Sequence, residues 1–142
     1  VMSNAFATKG KAAVDAARAR GRRVGLLRLR VIRPWPAAAI AQALCGRRAV
    51  AVLDQNLAPG LGGILFQEIA AALYHESSRP AALCSFIGGL GGKDVSAAEF
   101  ESIFAQTGDA GKRGRGIGPV LLYTEGEHRE MEQLLDIAGR QE

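Results

Sequence analysis

The sequence has few residues that bind metals or form cross-links, with two cysteines and two histidines among its 142 residues. Two cysteines, Cys45 and Cys84, cannot by themselves build a disulfide framework, a four-thiolate iron–sulfur cluster or a structural zinc site. Neither histidine has a cysteine or a second imidazole near it in the sequence. We therefore expect no metal site in this chain, and reduced thiols as in a cytoplasmic protein.

Long apolar segments are also absent, because charged residues interrupt every hydrophobic stretch before it could span a membrane. A membrane-spanning helix needs about 20 apolar residues, so we expect no membrane partner. The first residue is a valine, and no charged segment of a signal peptide precedes the first apolar residues. We expect residues 1–142 to form one domain that is a fragment of a longer polypeptide.

The motifs of common catalytic sites are missing as well. No Gly-x-Ser-x-Gly element supplies a nucleophilic serine, and His75-Glu76 has no second histidine at the metalloprotease spacing. Neither cysteine lies among the polar residues that surround reactive cysteines. The sequence therefore contains no self-sufficient active site, and we predict no catalytic, cofactor-binding or metal-binding residue in it.

Acidic residues are nearly absent from the first third of the chain, and aromatic residues make up only 6% of the whole. Residues 1–48 hold eleven Lys or Arg against one acid, whereas residues 49–142 hold seven against thirteen. A basic cluster could follow a nucleic-acid backbone, but only Trp35 lies near it to stack on bases. Arginine suits fixed pairing with acids in the fold or on a partner at least as well, so we expect no nucleic-acid partner. The cluster consists of Arg18, Arg20, Arg22, Arg23, Arg28, Arg30 and Arg33.

The sequence does contain short β-rich runs that alternate with helical patterns, which is typical of βαβ units and a largely parallel sheet. With 48% hydrophobic residues the chain is long enough to bury a core. Strands are predicted at residues 1–3, 24–32, 49–53, 81–87 and 119–124. Helices are predicted at residues 8–20, 37–45, 64–75 and 125–138, and after a Ser96–Glu99 capping box. Residues 108–118 hold five glycines and are predicted to be a mobile loop.

Three of these elements carry more specific predictions. Residues 49–53 form a continuous apolar run, as in a central strand that is buried on both faces. Residues 24–32 alternate apolar residues with arginines, which indicates an edge or partly exposed strand. The helix at residues 64–75 is apolar almost all round, so we expect it to lie deep in the domain.

Two glycine-rich turns follow predicted strands, at the edge where open α/β sheets usually bind ligands. The first, at residues 58–63, precedes a helix whose free N–H groups would favour an anion, but Leu65 stands where the dinucleotide motif needs a glycine. The second, at residues 88–94, carries Lys93 and Asp94, which either face a ligand or pair with each other. For the glycines of the first turn, tight turning and a close approach of helix and sheet are favoured over contact with a ligand or an interface.

Three segments carry a resemblance to a known family. They are residues 25–36, which end in Arg33-Pro34-Trp35-Pro36; residues 51–60, with Asp54 after the apolar run; and residues 86–94, with a glycine-rich turn before Lys93-Asp94. In this order and spacing they resemble the second domain of the alpha chain of pyruvate:ferredoxin oxidoreductases and related 2-oxoacid:ferredoxin oxidoreductases. The likeness extends over essentially the whole chain, although Trp35 replaces the usual phenylalanine and Gln55 a frequent basic residue.

The resemblance implies a single domain shaped like the C-terminal domain of transketolase. Its fold would be three-layer α/β/α with a five-stranded, mostly parallel (mixed) sheet in which one edge strand runs against the rest. It also implies an enzyme that oxidatively decarboxylates a 2-oxoacid, with pyruvate as the first candidate, and forms an acyl-coenzyme A. That enzyme would use thiamine diphosphate, Mg²⁺, iron–sulfur clusters and coenzyme A, and would reduce ferredoxin or flavodoxin.

Those cofactors are expected on other domains or chains. Gly108-Asp109 imitates the start of a thiamine diphosphate motif, but the only asparagines, Asn4 and Asn56, both precede it, so its metal-binding asparagine is missing. We therefore expect a non-catalytic domain that contacts other domains and subunits of the enzyme. The alternative is a free-standing α/β module that binds an anionic ligand at the Gly60 or Gly88 turn. The candidate interface or anion contacts are Arg33, Trp35, Asp54, Gly60, Gly62, Gly63, Gly91, Lys93 and Asp94.

Overall fold

The computed structural model describes residues 1–3, 6–123, 126–127, 129–130, 132–133 and 136, and within them helices alternate with strands. The strands are β1 Met2–Ser3, β2 Arg28–Leu29, β3 Ala49–Asp54, β4 Ala82–Ile87 and β5 Val120–Leu121. The helices are α1 Phe6–Ala19, α2 Ala37–Leu44, α3 Ile64–Leu73 and α4 Ala97–Arg113, with a 3-10 turn at Leu90–Gly92. The predicted α/β class is confirmed, and α1, α2 and α3 lie close to their predicted bounds.

The strands pair in the order β2-β1-β3-β4-β5, and every described pair is parallel. β3 and β4 pair along six residues each, whereas the other strands are two residues long. β2 lies at an edge, as its alternating pattern predicted. In that segment Arg28 and Leu29 pair with Met2 and Ser3 of β1. For the described strands, the predicted mixed sheet with one antiparallel edge strand was wrong, because both edge strands, β2 and β5, run parallel to their neighbours.

Helices cover both faces of the sheet and bury a hydrophobic cluster on each. β3 contributes to both clusters, since Leu53 packs with α1 and α4 whereas Val50 and Val52 pack with α2 and α3. The prediction of a central strand buried on both faces is therefore confirmed. The first cluster takes Phe6, Ala7, Phe100, Ile103 and Ala110 from its helices. The second takes Ile40, Ala41, Leu44, Leu65, Ile69 and Leu73.

The last helix of the core, α4, begins as the sequence predicted and ends later. The Ser96 side chain accepts a hydrogen bond from the Glu99 N–H, and the Glu99 carboxylate accepts one from the Ser96 N–H, so the capping box is confirmed. The helix then continues to Arg113, so the prediction of a mobile loop over residues 108–118 was wrong for residues 108–113, whereas residues 114–118 lie outside helices and strands. Ala110 is completely buried against the sheet. This packing outweighs the helix cost of glycines, which is about 1 kcal/mol each.

We expect Gly108→Ala to stabilise the domain by about 0.5–1 kcal/mol, because Gly108 is an exposed residue inside a helix. Nothing lies within 4 Å of a Cβ added there. Gly111→Ala is the matched control, since its Cβ would lie 2.9 Å from the Cβ of Ala49 and the gain should be lost. Urea denaturation measures both effects, and a clear destabilisation by Gly108→Ala would contradict the helical assignment.

The end of the chain is described in part. Residues 126–127, 129–130, 132–133 and 136 are helical, in agreement with the helix predicted at residues 125–138. The residues predicted to face inward, Met131, Leu134 and Leu135, lie outside the described residues, as does His128. Within the described part of the chain, no helix is both long enough and apolar enough to cross a membrane.

Candidate functional site

Asp54 ends β3 and binds the first turn of α3. Its Oδ1 accepts a hydrogen bond from the Leu65 N–H at 2.9 Å, and its Oδ2 accepts one from the Phe66 N–H at 3.0 Å. Asn56 Oδ1 accepts a third, from the Ile64 N–H at 3.0 Å. These N–H groups were predicted to be free for an external anion. They are bound by side chains of the chain itself.

Asp54 is buried inside the domain, and burial affects its pKa. The residue is 2% exposed, which does not favour its predicted role as an interface or anion contact. Burial raises the pKa of its carboxyl, and the hydrogen bonds from Leu65 and Phe66 act in the opposite direction. Gly63, the N-cap of α3, makes this approach possible, because a Cβ there would overlap the Asp54 carboxylate. A helix start whose N-cap is a glycine, with an acid at the end of the preceding strand, was the signal in the sequence for this contact.

Gly60 and Gly62 shape the turn between β3 and α3. Both have positive φ, 78° and 86°, which favours glycine. The Ala58 N–H donates to the Gly62 carbonyl at 2.8 Å, and the Gly62 N–H donates to the Ala58 carbonyl at 3.0 Å. The turn thus closes on itself and exposes Leu61. Backbone geometry is sufficient to explain these two glycines, and their contact with a partner stays a prediction.

Lys93 joins the second glycine turn to α4 and to the end of the chain. Its Nζ lies 3.2 Å from Glu99 Oε1 and 2.7 Å from Glu127 Oε2, and it donates to the Leu122 carbonyl at 2.9 Å. Burial disfavours its charge, but the hydrogen bonds to Glu127 and Glu99 outweigh this and raise the pKa of Lys93. Its donors are used within the fold, which makes it a structural residue.

Asp94 pairs with Lys9 of α1 and not with Lys93. Of the two alternatives for Lys93 and Asp94, pairing with each other was therefore wrong, because these consecutive side chains lie against different helices. The hydrogen bond from Lys9 holds the pKa of Asp94 below its ordinary value. Gly91, in the same turn, is exposed with φ 65°, so the turn requires a glycine there and its contact role stays a prediction.

Arg33 lies on the surface and pairs with α3. Its Nη2 is 2.6 Å from Glu68 Oε1, and its Nη1 donates to the Ile32 carbonyl at 2.8 Å. The Arg33 side chain is 64% exposed, so solvent weakens this pair. Trp35 is half-buried against the cluster between the sheet and α2 and α3. The two predicted contact residues are therefore close in sequence but differ in role, one solvated and one packed.

We expect Arg33→Ala to change the free energy of unfolding of the domain by only about 0–1 kcal/mol, as for other exposed ion pairs. Glu68→Ala is the matched control, and the double variant should cost little more than either single one because both remove the same pair. Urea denaturation of the three variants measures this coupling. A loss above about 2 kcal/mol for Arg33→Ala would make Arg33 an internal structural residue instead.

Other arginines of the basic cluster are held in the same manner. Arg20 and Arg22 both pair with Glu101 of α4, and the Arg22 guanidinium lies 5.4 Å from the centre of the Phe104 ring. These pairs support the prediction that the arginines make fixed contacts with acids in the fold.

The two cysteines lie on opposite faces of the sheet. Cys84 is buried in the cluster beneath α1 and α4, and burial raises the pKa of its thiol. Cys45 packs against the cluster beneath α2 and α3. Because the sheet separates the two thiols, they cannot both bind the same iron–sulfur cluster. Among the residues that the structure describes, no group of three or more His, Cys, Asp or Glu is close enough to hold a metal ion.

An exposed apolar strip runs along the outside of α3. Only Leu65, Ile69 and Leu73 of this helix are buried, whereas Ile64 is 51% exposed. The prediction that the helix lies deep was wrong, because the described elements that pack against α3 are α2 and β3. Tyr74, just after the helix, is 69% exposed. The sequence pattern was correct about the apolar character of α3 but not about what covers it.

Comparison with known proteins places these features in a family. Residues 1–100 match the family model described as pyruvate:ferredoxin oxidoreductase core domain II. The chain is 43% identical over 94 residues to the pyruvate synthase subunit PorA of Methanothermobacter thermautotrophicus. It is 39% identical over 93 residues to the ketoisovalerate oxidoreductase subunit VorA of Pyrococcus furiosus. Each alignment covers 66% of the chain but only 23% of the relative, so the chain matches about a quarter of the length of these relatives.

Proposed function

Because this chain belongs to the pyruvate:ferredoxin oxidoreductase core domain II family, we propose that it is a non-catalytic assembly domain of a 2-oxoacid:ferredoxin oxidoreductase. The family match confirms the resemblance predicted from the three sequence segments. The relatives named pyruvate synthase and ketoisovalerate oxidoreductase support an oxidoreductase that acts on a 2-oxoacid. Pyruvate is the first candidate substrate.

The observation that carries this proposal is the use of polar groups at the carboxyl edge of the sheet. The N–H groups that begin α3 are bound by Asp54 and Asn56. Lys93 is bound by Glu99 and Glu127. An active site needs polar groups that are free to meet a substrate. Here these polar groups form hydrogen bonds and ion pairs within the domain, between its turns and its helices. This supports a rigid surface for contact with neighbouring domains.

The cofactors belong to the complete enzyme. Thiamine diphosphate with Mg²⁺, iron–sulfur clusters and coenzyme A are assigned to other domains or subunits, and ferredoxin or flavodoxin is the electron acceptor. Thiamine diphosphate supplies carbanion stabilisation when bound. Among the described residues the two cysteines lie on opposite faces of the sheet and no group of side chains could hold a metal ion, so no reaction step is assigned to this chain. We further infer a cytoplasmic enzyme in which residues 1–142 form one three-layer, transketolase C-terminal-like domain of an alpha chain.

The structure does not favour the alternative, a free-standing module that binds an anion at a glycine turn. The Gly60 turn leads into N–H groups that are already hydrogen-bonded. At the Gly88 turn the nearby cation, Lys93, has two carboxylate partners.

An assay of the complete enzyme that contains this chain tests the proposal. We expect reduction of ferredoxin that depends on both a 2-oxoacid and coenzyme A, with no turnover and no iron–sulfur absorbance from residues 1–142 alone. Turnover by residues 1–142 alone would overturn the non-catalytic assignment. A complete enzyme that oxidises no 2-oxoacid would overturn the enzyme assignment, and tight binding of coenzyme A to a monomer of residues 1–142 would favour the alternative module.

A further inference from the structure

The outer side of α3 presents a strip without charge. Residues at helical spacing share this side, and each is exposed. The turn before the helix extends the strip, because Gln67 Nε2 donates to the Leu61 carbonyl at 2.7 Å and Leu61 is itself 66% exposed. The strip consists of Leu61, Ile64, Gln67, Ala71 and Tyr74.

The strip and the charged residues around it have the composition of a protein interface, with an apolar centre and a polar rim. Charged residues lie beside it, with the Arg33–Glu68 pair along one side and exposed Glu76 and Arg79 beyond its end. Arg79 Nη1 donates to the Tyr74 carbonyl at 3.3 Å. Protein interfaces have apolar centres that are enriched in tyrosine and depleted in charge, and polar rims around them. An exposed tyrosine and isoleucine on one helix face match this composition.

The strip differs from a small-molecule site. A shallow groove crosses it, lined by Gln67, Ala70, Ala71, Tyr74 and His75. No charged side chain lines that groove, and a small-molecule site usually combines an enclosed apolar cleft with a few convergent polar groups. Flat apolar packing against another protein surface fits the strip better.

The size of the strip indicates which kind of protein surface covers it. A ten-residue helix is about 15 Å long and about 10–12 Å wide with its side chains. With the preceding turn, the strip therefore covers roughly 200–300 Å². Stable association of separate chains buries about 800 Å² on each partner. Contacts between domains of one chain begin at about 600 Å² in total, or roughly 300 Å² a side.

The relatives are long enough to contain further domains that could cover the strip. The aligned part of the chain covers 23% of the PorA and VorA relatives, so most of each relative lies outside the aligned part. A covalent connection gives neighbouring domains effective concentrations in the millimolar range, at which a small apolar contact suffices. We propose that the strip on α3 docks on an uncharged apolar surface of another domain of the same alpha-type polypeptide, an inference that rests on the proposed function.

Thiol labelling of the complete enzyme tests this docking. Ala71→Cys places a thiol in the strip, and Ala16→Cys is the matched control, because Ala16 is an exposed alanine near the end of α1. We expect iodoacetamide to label position 71 at least about tenfold more slowly in the folded enzyme than after unfolding, and position 16 without such protection. We also expect Tyr74 of the unmodified enzyme to resist hydroxyl-radical oxidation, which gives a readout without any substitution.

The outcomes separate this inference from the proposed function. Protection that persists in the alpha subunit after the other subunits are removed supports docking within one polypeptide. Protection that disappears on their removal assigns the strip to another subunit or a second copy and overturns the proposal. Free labelling at position 71, with oxidation of Tyr74, in an enzyme that still reduces ferredoxin with a 2-oxoacid overturns the docking and leaves the proposed function standing. An unmodified enzyme without that activity counts against the proposed function instead.

Discussion

Leu53→Ala is expected to lower the free energy of unfolding by about 2–5 kcal/mol, the range for buried leucines that leave a cavity. Leu53 is 4% exposed in the central strand β3 and packs beneath α1 and α4. The Leu53 side chain is closely packed, so its truncation should leave a cavity. A Cβ added at the neighbouring Gly88 would already lie 3.3 Å from Leu53 Cδ1.

Urea denaturation measures this loss, with Val31→Ala as the control. Val31 is 57% exposed, so its truncation should change the free energy of unfolding by less than about 0.5 kcal/mol. If Leu53→Ala also costs less than about 0.5 kcal/mol, β3 is not the central buried strand.

Asp54→Ala is the second change with a large expected effect, a loss of about 2–4 kcal/mol at neutral pH. The substitution leaves the Leu65 and Phe66 N–H groups without the acceptors that lie 2.9 Å and 3.0 Å away. It also removes the contact that joins the end of β3 to the start of α3. Asn56→Ala is the control. It removes a single acceptor, that of the Ile64 N–H, which is more exposed than Asp54, so it should cost less. Equal losses for the two variants would contradict the buried cap.

Asp54 also gives the domain a pH dependence of definite sign. Burial raises its pKa in the folded state above the ordinary value of 3.8. Across the window from that value up to the folded pKa, the folded state keeps a proton that the unfolded chain has released. The stability contributed by this carboxyl therefore falls as pH rises through the window.

Asp54→Asn removes the titrating group and serves as the reference for this effect. We expect the stability of the unsubstituted domain relative to Asp54→Asn to decrease as pH rises above 3.8. Urea denaturation of both proteins over a pH series gives this difference. A difference that increases with pH over the same window would mean that the folded-state pKa is lowered.

Local signals account for the parts of the fold that the sequence predicted correctly. The continuous apolar run of β3 and the Ser96–Glu99 capping box depend on residues within a few positions of each other, and both are present. Residues 108–113 of α4 were missed because their helix depends on contact with the sheet, where Ala110 is completely buried. Glycine content alone carries no information about such a distant surface.

The candidate site was harder to predict because its partners are distant in sequence. Asp54 binds N–H groups 11 and 12 positions further along the chain. Lys93 binds the Leu122 carbonyl 29 positions away. Both residues were predicted to be interface or anion contacts. Their ligands were misjudged because a single sequence does not show which groups of the same chain fold back onto them.

The most direct test of a non-catalytic assembly domain is turnover per assembled molecule of the complete enzyme with Arg33→Ala. The exposed Arg33–Glu68 pair should leave the domain stable, while loss of the arginine weakens contact with neighbouring domains or subunits. Size-exclusion chromatography separates assembled from unassembled enzyme, and each fraction is assayed for 2-oxoacid-dependent reduction of ferredoxin. We expect less assembled enzyme, with unchanged turnover per assembled molecule. Full assembly with turnover reduced by about tenfold or more would place Arg33 in the chemistry and contradict a non-catalytic domain.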